Sequence, residues 1–185
     1  LTDIDMDPFE AVRLWGPDGR LNPHEAPQCA GSALSWRPDE RSLRIVRRYG
    51  DVVEWWIDEV RHEVHLAGNT NGARVFSSAF SADGKFVALA RWRGPLQVFA
   101  LEQSAPVFEL AGSQPRLVRM AFAPAGDRLA VAAADRRIRV YDLASRAELT
   151  VRQGHADEIT GISFLPDGQR LITASRDGTV RRWSA

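Results

Sequence analysis

The chain has 185 residues, 44% of them hydrophobic, with 24 basic and 24 acidic side chains and a formal net charge of zero. That length supplies a core without help from metals or cross-links, and the charge balance excludes a global electrostatic pull toward nucleic acid or an anionic membrane. Its single cysteine, Cys29, excludes an internal disulfide and a cysteine-based zinc site and fits a reducing, cytoplasmic compartment, and there is neither a run of about 18 apolar residues nor a signal-peptide pattern.

Residues 1–25 open on "LTDIDMDPFEAVRLW", which reads as the second and third strands of a sheet whose first strand is missing, followed by the start of an outer strand. With Leu rather than Met at position 1, the expectation is that the native N-terminus is absent. From there onward the pattern repeats. Aromatic residues close short alternating runs at Trp15, Trp56, Phe99, Tyr141 and Trp183, and a second series places Trp36, Phe80, Phe122 and Phe164 before Pro/Gly-rich turns, both about 42 residues apart. Two independent markers keeping one period divide the chain into repeats at about 26–67, 68–111, 112–153 and 154–185.

Each repeat reads as one sheet. In the last, "EITGISF" alternates up to "LPDG", where Pro presets φ and Gly supplies φ > 0; "RLITAS" follows, then "RDG", then "TVRRW". Outer strands are expected at 58–68, 102–112 and 145–154, where the sequence is more polar, as an edge strand requires. Leu129, Val131, Ile138 and Val140 belong to the interior of a sheet packed on both faces, which weakens the alternation there. The period and the strand content predict an all-β propeller, one four-stranded antiparallel blade per repeat.

Gly154-His155, Pro166-Asp167-Gly168, Asp177-Gly178 and Trp183 together resemble a complete WD repeat, and "VYD" and "RLWGPDG" resemble its closing motif more distantly. The resemblance implies a WD-repeat β-propeller with about four blades plus part of a preceding one. It also implies that the fourth strand of a last blade comes from the start of the ring. Because the N-terminal segment enters mid-blade, the expectation is an incomplete ring: the C-terminal portion of a larger propeller, whose missing blades lie in the same protein or on a companion chain. The resemblance further implies a hydrogen-bonded tetrad of His155, Thr173, Asp177 and Trp183. Physics supports such a network independently, since a buried carboxylate or indole needs partners. The preceding repeat keeps Asp135 and Tyr141 but has Val131 and Ser113 at the other two positions. The two before it are read with Arg93 and Gly50 at the Asp position, and Arg182 replaces the aliphatic residue expected before Trp183.

Arginine marks the candidate partner-binding surface. Every basic residue but Lys85 is an arginine, and the loops expected on one rim contain Arg47, Arg48, Arg74, Arg91, Arg93, Arg116, Arg136, Arg137 and Arg176 beside Tyr49 and Trp92. Arginine with aromatics suits recognition of an acidic or phosphorylated protein segment; the plainer alternative is that the charged loop tips only keep the molecule soluble. His62 and His65 in "RHEVH" lie on an expected outer strand without the spacing of a helical zinc motif. "GNTNGAR" at 68–74 lacks the lysine and helix of a phosphate loop, and His24 and Cys29 have no partner spacing. No catalytic, metal or cofactor site is therefore assigned. The expected role is a non-catalytic interaction or scaffold module. The family resemblance implies a C-terminal sensor or docking propeller, with a kinase, protease or nucleotide-hydrolysing domain upstream. The alternatives are an enzyme propeller with a central site, for which no residues converge, and nucleic-acid contact through the arginine rim, which would show a steep salt dependence.

Overall fold

The computed structural model describes residues 31–36, 42–47, 49–56, 74–91, 94–101, 103, 105–110 and 117–185. These form four antiparallel sheets and no helix. The first comprises β1 (Gly31–Trp36), β2 (Ser42–Arg47) and β3 (Val52–Trp56). The second comprises β4 (Val75–Phe80), β5 (Phe86–Arg91), β6 (Leu96–Ala100) and β7 (Pro106–Leu110). The third comprises β8 (Leu117–Phe122), β9 (Arg128–Ala133), β10 (Arg137–Asp142) and β11 (Glu148–Gln153), and the last β12 (Ile159–Phe164), β13 (Arg170–Ser175) and β14 (Val180–Ser184). The expected outer strand at 58–68 and the N-terminal part-blade at 1–25 lie outside the described residues.

Register repeats with the sequence. Each inner strand carries one irregularity near its start, between Gly31 and Ala33, Val75 and Ser77, Leu117 and Arg119, and Ile159 and Gly161. Each hairpin from the inner strand turns at a left-handed glycine in the second, third and last sheets: Gly84, Gly126 and Gly168 have φ of 67°, 74° and 65°, values that cost an L residue its Cβ clearance.

The sheets stack face to face in chain order, with β1, β4, β8 and β12 as neighbours. Val46 and Val52 of the first sheet pack on Val75, Val87, Leu89 and Phe99 of the second. Ala88, Ala90, Leu96 and Val98 then pack on Met120, Phe122, Leu129 and Tyr141 of the third, and Ala130, Ala132, Ile138 and Val140 on Ile159, Phe164 and Leu171 of the last. Small residues on one face meet large ones on the next, which fills each interface without voids. The result is an arc of propeller blades, with no closed ring.

Two positions differ from the sequence reading by one residue. Leu43, Val87, Leu129 and Leu171 pair across to Trp55, Phe99, Tyr141 and Trp183, so Trp55 and not Trp56 is the counterpart of Trp183. The turn after β2 likewise places Gly50, φ 93°, where Gly178 stands, so the position of Asp177 is taken by Tyr49 and not by Gly50. Two adjacent tryptophans made both registers compatible with the period, and a one-residue slip exchanges the faces of a strand.

Candidate functional site

The last sheet contains a continuous chain of polar side chains. Trp183 Nε1 donates to Thr173 Oγ1 at 2.8 Å, Thr173 Oγ1 lies 2.7 Å from His155 Nε2, and His155 Nδ1 lies 2.9 Å from Asp177 Oδ2. These partners assign the protons. Nδ1–H of the imidazole donates to the carboxylate, and the threonine hydroxyl accepts from the indole and donates to Nε2. Asp177 is saturated from other directions as well. The Ala156 amide donates to Oδ2 at 2.9 Å, and the Thr179 amide and hydroxyl donate to Oδ1 at 2.9 and 2.6 Å. The Thr179 hydroxyl first, then the Ala156 amide and the imidazole, hold the Asp177 carboxyl well below the usual carboxylate range.

The topology explains why these groups meet. Thr173 is central in β13, Trp183 stands beside it on β14, and Asp177 sits in the tight turn joining the two strands. His155 arrives on the segment leading into β12. His155 and Thr173 are buried, with the imidazole edge against the indole, ring centroids 5.8 Å apart. Gly154 is required by that closeness, because a Cβ there would lie 2.9 Å from both the Trp183 ring and the Arg181 guanidinium. No nucleophile approaches the imidazole, and the network ties a loop to two strands.

In the third sheet the corresponding interactions are ionic. Asp135 and Arg139 form a bidentate pair at 2.6 and 3.2 Å. Burial pushes the Asp135 carboxyl up, but the Arg139 side chain and the Arg137 amide more than offset it and leave it lowered. Val131 replaces the threonine, and the Tyr141 hydroxyl is pushed up to about 12 by burial and then by Glu148.

The rim arginines separate into classes. Arg91 is the last residue of β5 and is 8% exposed; its Nη1 donates to the Tyr49 carbonyl of the first sheet at 3.1 Å, with Gly50 directly beneath. It is taken up within the fold, which is a correction to its place in the candidate binding rim: a guanidinium this buried is held by the carbonyl of the neighbouring turn. Arg136, at φ 63°, donates to the Ala156 carbonyl at 2.9 Å, and Arg176 pairs with Glu158 at 3.4 Å, so both remain exposed but anchored. Arg74 and Arg137 are exposed with no carboxylate partner among the described residues, and Tyr49 on the same rim is 47% exposed. Arg48, Trp92, Arg93 and Arg116 lie outside the described residues.

Sequence reasoning missed a buried polar set on the first sheet. Ser42 Oγ donates to Glu54 Oε1 at 2.6 Å, Arg44 Nε lies 3.7 Å from Glu54 Oε2, and Arg44 Nη1 donates to the carbonyl of Gly84 in the next sheet. The signal was available. Arg44 and Glu54 stand where the second and third sheets have Ala88 and Val98, and Ala130 and Val140. Arg128 makes the same kind of inter-sheet bond, to the Gly168 carbonyl, while lying 5.8 Å from the Phe164 ring.

Residues 104–142 and 146–184 each match the family model described as WD domain, G-beta repeat. These are WD repeats. No curated protein matches the chain. WD repeats generally form non-catalytic modules that bind other proteins or peptides, and the first of the two matched repeats begins in the outer strand of the preceding sheet, as the offset between WD repeats and blades requires. Among the described residues there is no cluster of His, Cys, Asp and Glu suited to a metal ion, and no helix long and apolar enough to cross a membrane.

Proposed function

We propose that the chain is the docking part of a larger, cytoplasmic sensor protein, with further blades supplied by the same protein or a companion chain. Its arginine-bearing rim binds an acidic or phosphorylated protein segment. The observation that carries this reading is the trio of Arg74, Arg137 and Tyr49: two exposed guanidinium groups without carboxylate partners beside a half-exposed phenol, on the rim where the other arginines are anchored to backbone. Anchored arginines fix the loops, so the remaining cations meet a ligand with little ordering cost. Arginine also forks onto carboxylate and phosphate, and tyrosine adds rigid contact area.

The test is fluorescence anisotropy with a labelled deca-glutamate peptide. Arg74→Glu/Arg137→Glu should weaken binding by about tenfold or more while leaving the melting temperature in place. Equal binding by parent and variant would overturn the reading. Tighter binding to a single-stranded oligonucleotide of equal charge, with a steep salt slope, would replace it with nucleic-acid contact.

A further inference from the structure

A different surface is set apart by comparing the last sheet with its two neighbours. In the second and third sheets the third strand, β6 or β10, is covered by an outer strand, β7 or β11. Among the described residues nothing pairs with the outer side of β14. Its exposure agrees: Val180 is 72% exposed, whereas Leu96 and Ile138 at the same position are 0% and 1% exposed. Val180, Arg182 and Ser184 are all exposed along the strand.

The complete sheets show what chemistry the missing neighbour brings. At the second residue of the strand, Gln97 Nε2 donates to Glu109 of β7 at 2.8 Å, and Arg139 Nε lies 3.9 Å from Glu148 of β11. Both sheets place a glutamate of the outer strand against this position. Arg181 is its counterpart in the last sheet, where its Nε donates to Thr179 Oγ1 at 3.2 Å and no carboxylate meets it among the described residues. The next residue departs further. Val98 and Val140, both fully buried, correspond to Arg182, which is exposed and unpaired. Consecutive residues of a strand point to opposite faces, so the edge presents one guanidinium on each face. A neutral or basic strand pairing there leaves two cations uncompensated; a strand with an acid toward each face neutralises both while filling the backbone hydrogen bonds.

From this the geometry points to β14 as a docking edge for an extended acidic segment of a partner polypeptide, added as a fourth antiparallel strand with carboxylates against Arg181 and Arg182. The inference does not depend on the rim, which lies at the ends of the strands and not along this edge.

The probe is a fluorescein-labelled peptide with the sequence of residues 147–153 carrying Thr150→Glu and Arg152→Thr. Its counterpart carries Glu148→Lys, Thr150→Lys and Arg152→Thr. The 185-residue chain should bind the acidic peptide at least about tenfold more tightly than the basic one at low salt. Arg181→Glu/Arg182→Glu should reverse that order, and Arg74→Glu/Arg137→Glu should leave it unchanged. N-methylation of alternate peptide amides should abolish binding of the acidic peptide, which simple charge attraction does not predict. Equal binding of the two peptides, no binding of either, a preference that survives the β14 substitutions, or N-methylated peptide binding as well as the parent would each overturn the proposal. Since both β14 arginines are at the surface, thermal melting of the variant shows directly that loss of preference is not loss of fold.

Discussion

Thr173→Val removes one oxygen from the network in the last sheet and keeps the side-chain shape. The substitution fits sterically, because Val131 already occupies the corresponding position of the third sheet, buried to 1% exposure. What is lost is polar: the Trp183 indole N–H loses its acceptor, and His155 Nε2 loses its donor, both at a site where Thr173 itself is 0% exposed. An orphaned buried polar group costs about 1–3 kcal/mol. Trp183 is partly accessible and recovers some hydration, so the two losses together should come to about 2 kcal/mol. In a chain of this size that lowers the unfolding midpoint by about 4–8 °C. Tryptophan fluorescence and circular dichroism followed through thermal unfolding measure it, with Thr173→Ser as the variant that restores the hydroxyl and most of the midpoint. A valine variant melting within about 1 °C of the parent would refute the claim that the hydroxyl joins the network.

Three further outcomes follow from the same structure. Because the Asp177 carboxyl is depressed in the folded state, its contribution is fully present above the unfolded value of about 3.9 and is lost as pH falls below it; Asp177→Asn should therefore flatten the acid limb of a stability–pH curve below about pH 4, measured by urea unfolding. Arg44→Ala should cost about 3 kcal/mol by leaving Glu54 buried beside Ser42, while Arg44→Ala/Glu54→Val, which restores the side chains of the third sheet, should recover more than half of it in a double-mutant cycle. Gly154→Ala should cost about 1–3 kcal/mol and shift the Trp183 emission, since its Cβ meets the ring at 2.9 Å; Gly178→Ala, at φ 79° with nothing within 4 Å, should cost only the backbone strain of about 1 kcal/mol and leave the emission alone.

The fold was legible because one blade needs the same turn and packing chemistry as the next. "LPDG" at the β12–β13 turn and the aromatic residue opposite each β-strand leucine recur wherever a sheet must reverse and fill its face. Trp55 and Trp56 show where that reasoning loses resolution: adjacent residues of one type satisfy the period equally, and only the pairing with Leu43 decides between them. The network residues were legible because each carries a distinct polar function at a fixed place. The arginines were not, since composition cannot tell a guanidinium donating to a neighbouring carbonyl from one facing solvent. Arg91 and Arg137 differ in depth by the length of one turn. The Ser42–Arg44–Glu54 set was hidden for a related reason: its members look like ordinary surface residues until the repeat alignment shows that their counterparts are buried alanines and valines.

The claim on which the account turns is that the arc ends in a sheet with an open outer edge at β14. Amide hydrogen exchange read by mass spectrometry over residues 180–184 and 138–142 tests it within one molecule. The account predicts that β14 exchanges much faster than β10 in the protein alone and slows when the acidic peptide is bound; protection of β14 equal to that of β10 with no peptide present would contradict it.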